Sequence, residues 1–333
     1  MVRMSDIARE LAVSTVTVSK ALAGKDGVSN SLRRRIEQKA AEMGYIYNNL
    51  PRNLLLGRMF NVGIIISSKY LGESPFYWTF YRELLHILKR TSYLGILEVV
   101  ESRDEAGCMV PDLLKANKVD GLVILGQFSD DYLSMIVART RRCVFLDFYS
   151  DMGTCDCVAS NNFLGSYNLT KLLIEAGHQR IRFIGSPSAT TSILDRYMGF
   201  CKAMVEAGLP YEEAVEDRDH TGAYINFSLW PEHTSAYVCN NDQLAGIVIT
   251  KLQRLNLQVP RDISIVGFDN ESDVVTAGVG VTSLEVNIAA MCKEAVDLLL
   301  ENIETGDYRV RGKVFVDGRV VVKESIAAPR FMP

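Results

Sequence analysis

Near the amino terminus the run Ser14-Thr15-Val16-Thr17-Val18-Ser19-Lys20 groups hydroxyls, a methyl-bearing side chain and an ammonium at helical spacing. With Ser14 as the cap of that helix, Thr15, Val16 and Lys20 face outward near its start, where a helix-turn-helix reaches base edges in a major groove. Their chemistry suits that use: a hydroxyl donates or accepts, a valine methyl meets the thymine methyl, and lysine reaches guanine O6 and N7. Thr17, Ser19, backbone N–H groups and the cluster Arg33-Arg34-Arg35 can serve phosphates. Singly, each is an ordinary surface residue; together on one helix they point to DNA.

The elements that must hold this run are short. From Ser5 to Met43 apolar residues recur at helical spacing in three blocks: Ile7, Ala8 and Leu11; Val16, Val18 and Leu22; Leu32, Ile36, Ala40 and Met43. Ser14 and Ser29 stand where they can cap the second and third helices, and Gly24 and Gly27 bracket the loop between them. A three-helix module over 1–47 is expected. The periodicity then stops in a polar linker over 48–60, where Leu54-Leu55-Leu56 form an apolar patch that a solvated linker does not need.

Charge divides the chain in the same way. Residues 1–60 hold ten Lys/Arg against five Asp/Glu, net +5, and the remainder 26 against 35, net -9. A basic module on an acidic body suggests a polyanionic partner for the first part alone. Seven cysteines over 333 residues make no small disulfide scaffold, and Cys155 and Cys157 read as ordinary thiols. The charged start, Arg3, Asp6, Arg9 and Glu10, is unlike an export signal, and no stretch is apolar enough to span a membrane. The cytoplasm is the expected compartment.

In the body, β-rich runs at Val62–Ile66, Ile96–Val100, Leu122–Leu125, Val144–Leu146, Ile181–Ile184, Tyr237–Cys239 and Ile263–Val266 alternate with amphipathic segments. The latter lie near 76–90, 163–176, 196–207, 242–255 and 286–304. Such alternation predicts parallel sheets covered on both faces, and its length predicts two lobes. The first lobe is expected over about 61–159 and 287–313, the second over about 160–286 and 314–333. Their cleft, beyond the carboxyl ends of the strands, is the natural ligand site.

The body offers no convincing catalytic set. His86, His178, His220 and His233 are the only histidines, with no zinc-protease, nucleophile-elbow, Walker or dinucleotide signature near them. No enzyme activity, cofactor or metal is expected. His178, at a helix end before a buried strand, reads as structural, and Asp242, at a helix start, reads as the cap of the helix that follows. A sugar-binding transport receptor and a sugar-active enzyme remain as alternatives; the former needs no helix-turn-helix, and the latter needs a catalytic pair such as Asp147 and Asp269.

Met4–Leu22, with its D-I-A and V-S-x-x-T-V-S runs, followed by V-S…R near the third helix and a closing Gly44-Tyr45, resembles the DNA-binding domain of the lactose repressor/galactose repressor (LacI/GalR) family. The resemblance continues through Gly177-His178-Gln179-Arg180-Ile181, Asp195-Arg196-Tyr197-Met198-Gly199-Phe200, Asn241-Asp242-Gln243-Leu244-Ala245 and Val259–Asp269. It implies an α/β protein: a helix-turn-helix three-helix module, then a two-lobed body like the periplasmic binding proteins with two parallel sheets. It further implies a homodimer on a near-palindromic double-stranded operator, regulated by a small molecule, a sugar or sugar derivative.

By the same resemblance the linker becomes a hinge helix whose Leu54 wedges into the minor groove, with Pro51 in place of an alanine. Asp147, Arg196, Asn241 and Asp269 match the family's polar ligand contacts, and Phe76 and Tyr77 its aromatic ones. Phe76 reads equally well as core. His220 falls in a loop that the family uses for ligand and reads equally well as a solvated histidine. Arg3, where the family has a capping threonine, implies a less sharply started first helix. Without apolar heptads after Lys323, a dimer rather than a tetramer is expected.

Overall fold

A computed structural model describes residues 2–45, 57–72, 75–219, 222–271, 275–276, 278–306 and 308–330. The chain divides into two compact units, Met1–Met59 and Phe60–Pro333.

The first unit contains α1 (Met4–Glu10), α2 (Thr15–Leu22) and α3 (Asn30–Glu42). Ser14 Oγ accepts from Thr17 N at 3.0 Å and Ser29 Oγ from Leu32 N at 3.4 Å, so both expected caps form. Arg3 offers no side-chain acceptor, yet the start of α1 is not left open: the Asp6 carboxylate takes the Arg3 N–H at 2.9 Å, half of a capping box. Ile7, Ala8, Val18, Ala21, Ile36 and Ala40 form the core. Its small residues let three short helices pack closely.

The body begins with β1 (Asn61–Ser67), α4 (Phe76–Leu88), β2 (Leu94–Val100), α5 (Ser102–Ala106), α6 (Asp112–Lys115), β3 (Gly121–Leu125), α7 (Asp130–Val137), β4 (Cys143–Leu146) and β5 (Asp156–Ser160). It continues through α8 (Asn162–Glu175), β6 (Ile181–Ile184), α9 (Thr191–Glu206), β7 (Ala236–Cys239), α10 (Asp242–Arg254) and β8 (Ser264–Phe268). The two-residue pair β9 (Val275–Thr276) and β10 (Val279–Gly280), then β11 (Thr282–Glu285), α11 (Ile288–Thr305), β12 (Lys313–Val316) and β13 (Arg319–Val321) complete it.

Two sheets result. The first has the order β12-β5-β4-β3-β1-β2 and is parallel throughout; the second has the order β13-β11-β8-β7-β6. In the second, β13 runs antiparallel to β11, a departure from the all-parallel expectation. Helices cover both faces, so strands such as β3 and β4 are buried along their whole length.

Three details differ from the sequence expectation. The strand β5, which carries Cys157, is not among the runs expected from the sequence, because Asp-Cys-Val-Ala-Ser has one β-branched residue and no alternation, and only pairing to β4 and β12 makes it a strand. The strand after 313 belongs to the first sheet, so the last passage between lobes falls after Val316. The helix carrying Arg196 starts at Thr191, where the Thr190 hydroxyl accepts from Ile193 N at 3.2 Å.

One glycine positions the site. A Cβ on Gly199 of α9 would stand 2.1 Å from the Phe163 carbonyl of α8. Its absence lets the two helices close together, which brings Arg196 onto Asn162.

Candidate functional site

On the first unit, Thr15 and Lys20 are exposed, Thr17 and Ser19 half-buried, and Val16 is 62% exposed. Val18 and Ala21 on the opposite side of α2 supply the core, so Val16 is not needed for packing. Thr17 Oγ1 pairs with Ser14 Oγ at 2.9 Å. Arg33 is a correction: its Nη1 donates to Ala21 O at 3.3 Å and its Nη2 to Lys25 O at 2.6 Å, which satisfies the end of α2. Arg34 and Arg35 stay exposed and are the members of that cluster facing solvent. Leu54 lies outside the described residues. Lys20→Ala is expected to weaken operator binding by about 1–3 kcal/mol and to relax base preference at one half-site position. Loss of non-specific affinity alone, in titrations against scrambled DNA, would reassign Lys20 to phosphate.

In the body, Asp147 follows the end of β4 with φ +71° and Asp269 follows the end of β8 with φ +94°. Left-handed backbone at a non-glycine residue costs energy and gathers at functional sites. The two carboxylates come from different lobes and line one cavity of about 110 Å³, with Phe76, Tyr77, Arg196 and Asn241. Burial pushes the Asp147 carboxyl up to about 7; the Arg196 charge and the Tyr77 hydrogen bond only partly counter it. Asp269 rises to about 6 for the same first reason, again partly countered by Arg196. Tyr77, pushed far above the ordinary phenol range by burial, stays a neutral donor and gives its O–H to Asp147 Oδ2 at 2.9 Å.

Arg196 lines the cavity with both carboxylates but is largely held by the protein. Its Nε donates to Asn162 Oδ1 at 2.8 Å, its Nη1 to Asn240 O at 2.7 Å, and its guanidinium lies 3.7 Å from the centre of the Phe268 ring. Only Nη2 reaches Asp269, at a long 3.5 Å. The expected pair of N–H donors to ligand is thus reduced to the Nη2 group, because the rest of the fork anchors the end of β7 to α8.

Asn241 also has a structural duty. It is the N-cap of α10: its Oδ1 accepts from Leu244 N at 2.8 Å, which leaves its amide donors, shared with Tyr224 Oη at 3.3 Å. Asp242, the expected cap, is instead buried, accepting from Ser283 Oγ at 2.7 Å and from Glu271 N at 2.9 Å. His178 is buried between Ser235 Oγ at 3.0 Å and the Ala327 carbonyl at 2.9 Å, tying down the last segment. His220 lies outside the described residues.

Among the lining residues that escaped the sequence reading are Tyr70, Gln127 and Arg218. The Tyr70 ring lies 4.9 Å from that of Tyr77, and its O–H donates to Gln127 O at 2.7 Å. Gln127 Oε1 accepts from Thr191 N at 2.9 Å, crossing from one lobe to the other. Tyr149 Oη to Asp195 Oδ1 at 2.9 Å and Ser192 Oγ to Asp147 O at 3.3 Å do the same. Gln127 could have been found by the rule that ligands sit past strand ends, since it follows β3. Among the described residues, no group of three or more His, Cys, Asp or Glu side chains could hold a metal ion, and no helix is long and apolar enough to cross a membrane.

Comparison with known proteins agrees with this architecture. Residues 3–48 match the model described as bacterial regulatory proteins, lacI family, and residues 170–326 match the periplasmic binding protein-like domain. The HTH-type transcriptional repressor PurR of Pasteurella multocida is 26% identical over 98% of this chain and 99% of its own length. Among solved structures, the lac repressor dimer bound to operator and the anti-inducer ONPF has a TM-score of 0.78 at 21% identity, covering 98% of this chain and 99% of that one. The transcriptional regulator CelR in complex with cellobiose has a TM-score of 0.67 at 21% identity, covering 98% of this chain and 100% of that one. With a capped helix-turn-helix in one unit and a two-lobed ligand-binding fold in the other, the chain joins a lacI-family DNA-binding domain to a periplasmic binding protein-like domain, the make-up of a DNA-binding transcriptional regulator controlled by a small-molecule effector.

Proposed function

We propose that this regulator acts as a cytoplasmic homodimer on a near-palindromic operator and that its effector is a sugar or sugar derivative bound among Asp147, Arg196 and Asp269. Thr15, Val16, Thr17, Ser19 and Lys20 read the operator, and Leu54 wedges its minor groove. The observation that carries the effector reading is one cavity lined by two carboxylates from opposite lobes and by a guanidinium whose Nη2 reaches Asp269. Carboxylates seek O–H donors, Nη2 seeks an acceptor, and a polyol supplies both. The Tyr77 and Phe76 rings add apolar faces for sugar C–H groups.

A ligand touching both lobes favours the arrangement in which they are close, and that differential affinity is what shifts operator binding. A coupling of about 2–4 kcal/mol changes operator affinity roughly 30- to 1000-fold. The test is a thermal-shift screen of the full chain with sugars, sugar phosphates and nucleobases, followed by operator titration with each hit. Stabilisation by nucleobases alone would overturn the sugar reading.

Acidity gives a second test. The ordinary carboxyl value is 3.8, against about 7 for folded Asp147 and about 6 for folded Asp269. Between these limits the folded domain holds protons that the unfolded chain has lost, so this contribution favours folding at the acid end and falls as pH rises toward 7. Hydroxyl donors favour the ionised form. Effector affinity is therefore expected to rise from about pH 6 to about pH 8, with protons released on binding at neutral pH. Calorimetry in buffers of different ionisation enthalpy measures that release; none at neutral pH would mean that neither carboxylate meets the effector as an anion.

A further inference from the structure

The cavity around Arg196, at about 110 Å³, is smaller than the few hundred Å³ usual for a small-molecule site. A second hollow adjoins it. Tyr70, Thr190 and Arg218 also wall this hollow of about 450 Å³ between the lobes, whose further lining includes Lys69, Ser188 and Glu216. Together the two reach the usual size, so the deep cavity reads as one part of a longer site.

The charges in the hollow say what it can take. Lys69 Nζ lies 3.4 Å from both oxygens of the buried Glu105. Arg218 holds the fully buried Asp217 with Nε at 3.1 Å and 3.2 Å and Nη2 at 2.8 Å. Each cation is matched by a carboxylate of its own lobe, and Glu216 and Asp219 add negative charge to the wall. A phosphate entering here would be desolvated without gaining uncompensated positive charge. Hydroxyls, by contrast, find N–H and O–H donors, carboxylate acceptors and the flank of the Tyr70 ring.

We infer that the effector is an uncharged glycoside of at least two sugar units, one ring among Asp147, Arg196 and Asp269 and the next unit in the hollow at Lys69, Ser188 and Arg218. This rests on the sugar reading above and narrows it. The opposite extension would use the groove of about 620 Å³ that meets the cavity at Phe76 and Asp269, beside Thr79.

Calorimetric titration of the full chain with matched sets tests this, each set a monosaccharide, its 6-phosphate and disaccharides containing the same ring. A disaccharide is expected to bind at least about tenfold more tightly than either other member. Ser188 is exposed, and Ser188→Trp should fill the hollow, bringing disaccharide affinity down to that of the monosaccharide without changing the latter. Thr79→Trp should change neither. A monosaccharide or sugar phosphate that binds as tightly as any disaccharide overturns the inference while leaving the sugar reading intact. Selective loss of disaccharide in Thr79→Trp and not in Ser188→Trp also overturns it. If no sugar of any kind binds, the sugar reading falls with it.

Discussion

Arg196→Ala should erase the effector response and lower the unfolding midpoint of the effector domain together. The first effect comes from the loss of the Nη2 donor beside Asp269 in the cavity that Asp147 also lines. The second comes from what the guanidinium holds: Asn162 Oδ1, the Asn240 carbonyl and the Phe268 ring all lose their partner inside the protein. Asp269 would also remain buried without its counter-charge, and removing one member of a buried pair costs about 3–5 kcal/mol. Arg196→Lys should recover little, since an ammonium cannot reach three directions in one plane. Thermal denaturation and operator titration on the same samples check this. A variant that keeps the wild-type midpoint would show that the fork is not structural; one that keeps the wild-type response would show that the effector binds elsewhere.

Asp147→Asn is expected to separate the two roles that Arg196 combines. The amide oxygen can still accept the Tyr77 hydroxyl, so the fold is kept, while the other position changes from acceptor to donor. Loss of a charge-assisted hydrogen bond of about 1.5–3 kcal/mol weakens effector binding about 10- to 150-fold. Stability should move the other way. At about pH 8 the wild-type domain must keep a buried carboxylate ionised, at about 1.4 kcal/mol per unit of the raised pKa, and the variant does not. Denaturant melts at about pH 8 and pH 5 should show the variant gaining most on the alkaline side. A variant less stable than wild type at both values would mean that the Asp147 charge serves the fold rather than the ligand.

The DNA-binding unit was legible in the sequence because its signals are local. Apolar spacing within a few residues sets the buried faces of three helices, and Ser14 and Ser29 cap from three residues away. The alternation of strands and helices in the body is of the same kind, since each element buries its own face. The positions of Asp147 and Asp269 at strand ends and of Arg196 near a helix start also follow from local pattern, together with the family resemblance.

What those residues touch was not local. Arg196 bonds to residues 34, 44 and 73 positions away, and only the packed helices and sheet ends decided that most of its fork is spent on the protein. The same holds for Arg33, turned back onto the end of α2, and for the exchange of duties between Asn241 and Asp242. It holds for β5, a weak strand in isolation that is paired by β4 on one side and, across more than 150 residues, by β12 on the other. Sequence periodicity specifies which face of an element is buried. The partner of a polar group on that face depends on which distant element arrives there, and that choice is made by the packing of the whole body.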